Sequence, residues 1–487
     1  MTATEATSPR GARAVRFARR STRGWLYGMS KTRLAVVAGA FVVFTVSLLL
    51  AGPSGVVMTS PLWGAALVVA YAPVRGRKIV DWLPVIVNWW WRRSGGQHRF
   101  RARPLKPRPV GTLALPGDAA RLRVLRDDVT AAALVHDPHA GTLTAVLRVS
   151  HGAFVLVDPD IQAARADGWA RVLGGLATHD RGITRVQVLE RALPDAGVDV
   201  AAWWTQHGID DGSWMATAYQ ELLAQAAPAS ERHETMVAIT LSLHAAAASI
   251  REQGGGLRGA AVVMRQRMAS FEAAIRSAEL VPAGWLDDAG LAWVLRTASD
   301  PEAARTLDGK QVGRDVATAG PIAVDEEWAT LRSDSGWHAA LWITEWPRLS
   351  VVPGFLWPLV LAPQVRRSLS IVLEPVATAK ALKEVRRERF EHMSDQINRD
   401  KRGQVTDYAT VAELEDVNQR ERELVSGHGE FRYAALIAVS APTKDALTAA
   451  VDQITNAAIE SDCEIRTLWG EQGAGFQAGA LPLGRGI

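Results

Sequence analysis

A single cysteine, Cys463, stands in 487 residues. That excludes an intramolecular disulfide framework and any metal cluster built from several thiolates. Phosphate-binding motifs are missing too. No G-x-x-x-x-G-K-[ST] run occurs, and the nearest fragment, Asp308-Gly309-Lys310-Gln311, lacks both the upstream glycine and the hydroxyl. Gly254-x-Gly256-x-x-Gly259 matches the dinucleotide fingerprint in letters only. A phosphate turn must follow a strand directly, and residues 245–253 intervene, so the run reads as a helix-entry loop. His136 and His139 flank a turn with no further His or Cys nearby. H-E-x-x-H and G-x-S-x-G are absent. Asp325-Glu326-Glu327 has no partner motif and reads as a solvated turn or helix start. No acid, base and nucleophile are assembled. The sequence therefore points to a protein that is not an enzyme and needs no cofactor or metal.

The most informative absence is charge. Residues 34–74 contain no Asp, Glu, Lys, Arg or His. They hold two apolar segments, 34–51 and about 55–74, around Gly52-Pro53-Ser54-Gly55. A membrane-spanning helix needs roughly 20 mostly apolar residues. The pattern predicts a two-span hairpin, with Ser60 capping a second helix whose first turn carries Pro61 and residues 52–60 as the connector. A soluble helical hairpin would carry charge on some face. A signal peptide would have a shorter basic region and a small-residue cleavage site.

The flanks set the orientation. Residues 1–33 carry eight basic side chains, among them Arg19, Arg20, Arg23, Lys31 and Arg33, against the one acid Glu5. Residues 75–108 carry ten, among them Arg75, Arg77, Lys78, Arg92 and Arg93, against the one acid Asp81. Basic residues beside spans stay cytoplasmic. Both termini should be cytoplasmic, in a multi-pass protein of the cell membrane. Residues 1–108 carry 18 basic and 2 acidic side chains (net +16) and the other 379 carry 37 and 49 (net −12). The positive charge thus belongs to the membrane-flanking part, where the anionic leaflet is the natural partner. It does not imply nucleic-acid binding by the body.

In order, the chain reads as a basic tail (1–33), the membrane hairpin with a juxtamembrane helix (34–95), a Pro/Arg linker (96–110) and two α+β domains (111–320 and 321–487) with mixed sheets. The juxtamembrane stretch places Trp82, Trp89, Trp90 and Trp91 among arginines, as at headgroup depth. Residues 131–136 and 142–149 form a hairpin signal around Asp137-Pro138-His139-Ala140-Gly141. Residues 158–178 and 257–280 are helical, and 376–425 is a charged helical hairpin that breaks near Lys401-Arg402-Gly403. No short repeat is visible. Eighteen tryptophans are the unusual feature of the composition. On one strand, Trp342 and Trp346 would share a face. With Phe355 and Trp357 they form either core or a docking surface, Trp being enriched at hot spots.

The parts in this order, namely Gly24-Trp25 in the basic tail, the apolar hairpin, Trp89-Trp90-Trp91-Arg92-Arg93, the D-P-H-A-G-T-L-T-A hairpin, W-I-T-E-W-P-R and F-L-W-P-L, resemble an uncharacterised integral-membrane family. That family belongs to conjugative elements and secretion clusters of actinobacteria. Its hairpin is similar to the small two-span inner-membrane subunit of type IV secretion systems. Its body is similar to the N-terminal, non-catalytic part of the large conjugative ATPase. The resemblance implies a structural subunit of a hetero-oligomer that docks a separately encoded ATPase beside other membrane subunits. With no Walker motif in the chain, it carries no ATPase activity across. The alternatives are the membrane subunit of a type VII secretion machine and a membrane-bound enzyme of another chemistry.

Overall fold

The computed structural model describes residues 31–74, 77–103, 111–150, 157–178, 182–195, 198–226, 231–306, 316–347, 351–401, 408–426 and 429–486. The chain forms two compact units. One holds the apolar helix α1 (Lys31–Tyr71) and the helix α2 (Ile79–Ser94). The other is an α+β body that starts at Arg99 among the described residues.

The body is organised by one antiparallel sheet of thirteen strands: β1 (Arg99–Arg101), β2 (Arg123–Arg126), β3 (Ala133–Asp137), β4 (Thr142–Ser150), β5 (Ile183–Pro194), β6 (Glu231–Ser242), β7 (Val281–Trp285), β8 (Ala323–Glu326), β9 (Leu331–Ser333), β10 (Gly336–Glu345), β11 (Arg366–Val376), β12 (Glu430–Ala441) and β13 (Glu464–Thr467). The spatial order is β1-β8-β9-β10-β12-β11-β5-β6-β4-β3-β2, with β7 on β4 and β13 on β10.

That order contains the same unit twice. In the first, β4, helix α3 (Pro159–Thr178), β5, β6, helix α7 (Gly256–Ser277) and β7 follow one another, and the strands lie as β7-β4-β6-β5. In the second, β10, a helical turn (Trp357–Val360), β11, β12, helix α11 (Lys444–Glu460) and β13 lie as β13-β10-β12-β11. Each is the split β-α-β-β-α-β arrangement of ferredoxin-like domains. Each is extended by its own preceding hairpin, β2–β3 or β8–β9. Even the irregularities correspond: the β4–β7 pairing slips at Arg148/Val149 and the β10–β13 pairing at Ile343/Glu345. The halves join edge to edge through β5 and β11, paired from Arg367↔Ala192 to Leu373↔Val186.

Between the paired strands stand helical connectors. Helices α4 (Val198–His207) and α5 (Trp214–Ala226) link β5 to β6, and α9 (Thr378–Lys401) and α10 (Tyr408–Val425) link β11 to β12. A short helix α6 (Ala247–Glu252) precedes α7, while α8 (Asp288–Ser299) and α12 (Gln472–Ala480) follow the last strand of each half. Alternation along the strands sends side chains to two faces. In β6, Val237, Ile239 and Leu241 meet α3 and α7, while Met236 and Ala238 meet α8 and the C-terminal Leu481 and Leu483. In β12, Ala435, Ile437 and Val439 meet α11. The sheet is covered on both faces, which explains runs such as MVAI and AALIAV that are apolar throughout.

Several expectations change. The sheet is antiparallel rather than mixed, because each half places its third strand between the first and second. The division near residue 320 does not separate two sheets, since β5 and β11 are neighbours. The 96–110 linker yields Arg99–Arg101 to an edge strand: Phe100 packs on the core, and Arg99 and Arg101 reach Asp325 at 3.6 and 3.9 Å. Val376 ends β11 rather than opening the charged hairpin. The expected break at 401–403 falls where α9 ends at Lys401, and residues 402–407 lie outside the described ones.

Two buried polar groups hold the sheet to its cover. The two N–H groups of the Gln187 amide of β5 are shared among Ser370 Oγ (2.8 Å), Ala478 O (3.1 Å) and Leu481 O (2.9 Å), and its oxygen accepts from Gly484 N–H (2.8 Å). His338 of β10 is wholly buried. Ser333 Oγ donates to Ser299 O at 2.6 Å, so at 2.8 Å it accepts from His338 Nε2–H, while Nδ1 accepts from Ser440 Oγ at 2.8 Å. The imidazole is therefore neutral, and burial pulls its pKa down to about 4.

The unfolded chain takes up that proton first, near pH 6.5, and the folded one only near 4. Stability should fall as pH drops through this window and level off below it, by about 3 kcal/mol from this group. Denaturation of the full chain and of His338→Gln at pH 7, 5 and 4 checks this. The variant should show the shallower pH dependence, and equal slopes would contradict the assignment.

Candidate membrane-anchoring and docking surfaces

The 41 residues of α1 are long and apolar enough to cross a membrane. They are not one straight rod. Gly52 has φ +58° and ψ −150°, a backbone state suited to glycine, and the following Pro53 disfavours a helical residue before it. Across that point Thr59 Oγ1 lies 3.0 Å from Ser47 Oγ, Trp63 meets Phe44 edge-to-face at 5.7 Å, and the Arg33 guanidinium sits 4.2 Å over the Tyr71 ring. In a straight helix residues 33 and 71 would be roughly 57 Å apart. The two halves of the segment thus lie side by side.

The turn is tighter than expected. Ser60 does not cap a new helix, and residues 52–60 are not a loop: helix runs on either side of Gly52. Pro61 is tolerated inside because the Val57 carbonyl, which would have taken the missing N–H, accepts from Ser60 Oγ at 2.8 Å.

Helix α2 turns Val80, Trp82 and Trp89 inward. Leu83, Ile86, Val87 and Trp90, at helical spacing, are exposed, Trp90 at 73%. With Arg92 and Arg93 in its last turn, α2 has the make-up of a helix that lies in a membrane interface. Arg77 lies over the Trp82 ring at 5.7 Å and Arg92 over Trp89 at 5.6 Å. Lys78 is the residue before α2, and Lys31 opens α1. Arg19, Arg20, Arg23 and Arg75 lie outside the described residues.

The candidate docking residues Trp342, Trp346, Phe355 and Trp357 are all half-buried. Trp342 lies against Leu436, Leu468 and Ala478, with Arg466 5.1 Å from its ring. Trp346 belongs to the opposite face, near Phe355 (6.3 Å) and Tyr433 (5.4 Å). The two do not share a face because the irregularity at Ile343/Glu345 adds a residue and reverses the alternation. Trp357 opens the helical turn, its ring so close to Gly354 that a Cβ there would fall 2.6 Å away.

Other motifs shape turns. Gly254, Gly255 and Gly256 take positive φ in the turn from α6 to α7, and Gly259 packs on the Ile250 carbonyl. Asp137 Oδ1 accepts from the N–H groups of His139 and Ala140 and so shapes the β3–β4 turn. Among the described residues no group of three His, Cys, Asp or Glu could hold a metal ion. Cys463 is buried, and burial raises its thiol pKa to about 11. The sequence reads residues 198–207 and 213–225 as helices but not their exposed apolar surface, to which Trp214 and Met215 of α5 and Ile209 of the connector belong. The signal was there, as a helix pair with more apolar residues than one buried face can take.

Trp346→Ala should lower stability by about 2–4 kcal/mol, as expected for a large side chain removed from packing, and the melting temperature of the full chain measures it. An unchanged melting temperature would show that Trp346 is a surface residue after all. Compared with known proteins, no family model and no curated protein matches this chain.

Proposed function

We propose that the protein is a membrane-anchored structural subunit of a type IV secretion-like conjugative apparatus, and that its α+β body is a cytoplasmic platform for a separately encoded ATPase. The observation that carries the reading is the apolar segment folded back at Gly52 between two basic flanks. Both halves cross the membrane, so both termini are cytoplasmic and the Gly52 turn faces outside. The first half is about 20 residues and the second about as long, each near the minimum for a span. The resemblance of the body to the non-catalytic part of a conjugative ATPase, together with the lack of a Walker motif, supports a docking role over a motor role. Anionic lipid, the ATPase and other membrane subunits are the partners, with no nucleic acid bound directly.

Reporter fusions test the two-span topology. A reporter at the N-terminus and one after Ser94 should be active only as cytoplasmic reporters, and one inserted at Gly52-Pro53 only as an exterior reporter. An exterior signal after Ser94 would overturn the reading. The lipid contribution is separately measurable. A peptide of residues 75–108 should bind vesicles more tightly as anionic lipid rises and less tightly as salt rises, each basic group near the surface being worth about 1 kcal/mol. Equal binding to neutral vesicles would remove the electrostatic part.

A further inference from the structure

The duplication supplies an internal comparison. Helices α4–α5 and α9–α10 hold the same place in the two halves, between the second and third strands of each unit. The α9–α10 pair is braced by charge, and its exposed apolar side chains Phe390, Met393 and Val425 stand among many charged ones. Arg386 and Arg389 of α9 both reach Glu421 of α10, at 3.3 and 2.5 Å, Arg420 reaches Glu388 at 3.2 Å, and Val385, Val417 and Leu424 form a small core between them.

The α4–α5 pair is built otherwise. Trp204 packs on Tyr219 at 4.7 Å between centroids, and Ser213 caps α5 by accepting from Ala216 N–H at 3.2 Å. With these contacts made, Trp203 (56%), Ile209 (79%), Trp214 (81%), Met215 (72%) and Leu222 (57%) remain exposed. Met215 and Leu222, seven apart, fall on one stripe of α5. The charged side chains of residues 198–226 are Asp199, Asp210, Asp211 and Glu221, with no Lys or Arg. An apolar surface rich in Trp and Met and rimmed by polar groups marks an interaction site. An all-acidic rim repels an anionic leaflet or nucleic acid and attracts cations.

We propose that α4–α5 docks a basic amphipathic helix of a separate polypeptide. The helix seats an i, i+3/i+4, i+7 apolar stripe on Trp203, Trp214, Met215 and Leu222, with Lys or Arg beside Asp210, Asp211 and Glu221. This rests on the surface of α4–α5 and stands apart from the membrane and secretion reading.

The test uses the full chain in neutral nanodiscs and a fluorescein-labelled 18-residue Leu/Lys amphipathic peptide, read by anisotropy. Saturable binding is expected. It should weaken about thirtyfold in Trp214→Ser/Met215→Ser, the loss typical of a hot spot. It should also weaken in Asp210→Asn/Asp211→Asn, whose amide oxygens still accept from the Gly212 and Ser213 N–H groups, and with added salt. A scrambled peptide of equal composition and a Glu-for-Lys twin should bind at least tenfold less. Absent saturable binding, or binding indifferent to both double variants, would overturn the proposal. So would tighter binding of a peptide of residues 1–30, which would assign the surface to the chain itself. A polarity-sensitive dye on Ser213→Cys that shifts on anionic nanodiscs without peptide would assign the surface to lipid and would equally overturn the proposal.

Discussion

The body depends on the ladder between β5 and β11. It joins two ferredoxin-like halves whose remaining strands pair within their own half, apart from β1. Backbone pairing fixes the register of this joint, and the buried Gln187 ties it to the layer above. Its amide reaches the Ala478 carbonyl of α12 and the chain beyond, at Leu481 O and Gly484 N–H, while also bonding across the joint to Ser370. A buried amide with donor and acceptor both used is costly to lose, because its partners would be left unpaired away from water. The C-terminal residues Leu481 and Leu483 thus help to cover the face where the halves meet. The same side of the sheet takes α8, eight of whose twelve residues are buried. Charge is accommodated there by the Arg191–Glu234 pair at 3.1 Å, with Arg191 also donating to Val294 O.

The other unit follows a different physics. Its polar backbone groups are satisfied within helices, its Pro61 is accommodated by a local hydroxyl group, and its side chains face outward as apolar groups. The exposed row of α2 repeats the theme at the right strength for an interface: apolar on one side, arginine at its end. Under the proposed function this unit holds the protein at the membrane, and the body supplies a broad, internally braced surface.

How much of this was legible in the sequence follows from the range of the interactions. The apolar stretch, the β3–β4 hairpin and the long α7 were readable because their causes are local: absent charge, an Asp137 turn and a helical repeat of apolar residues. The edge strand Arg99–Arg101 was hidden by its arginines, which read as linker until Asp325 supplies their partner. The duplication was invisible because it survives in topology and register, while residues in equivalent strands differ. The tryptophans misled through a single irregular residue: alternation predicts one face for Trp342 and Trp346, and the slip at Ile343/Glu345 splits them. Cys463 read correctly as a lone cysteine, but its burial against α11 depends on contacts between distant segments.

The most direct measurement is isolation of the full chain from its native membranes by mild detergent after brief cross-linking. A P-loop ATPase of a separate gene should accompany it, nucleotide hydrolysis should belong to that partner, and the chain stripped of the partner should hydrolyse nothing. Recovery of the chain from the soluble fraction, or ATP hydrolysis by the chain alone, would contradict the account.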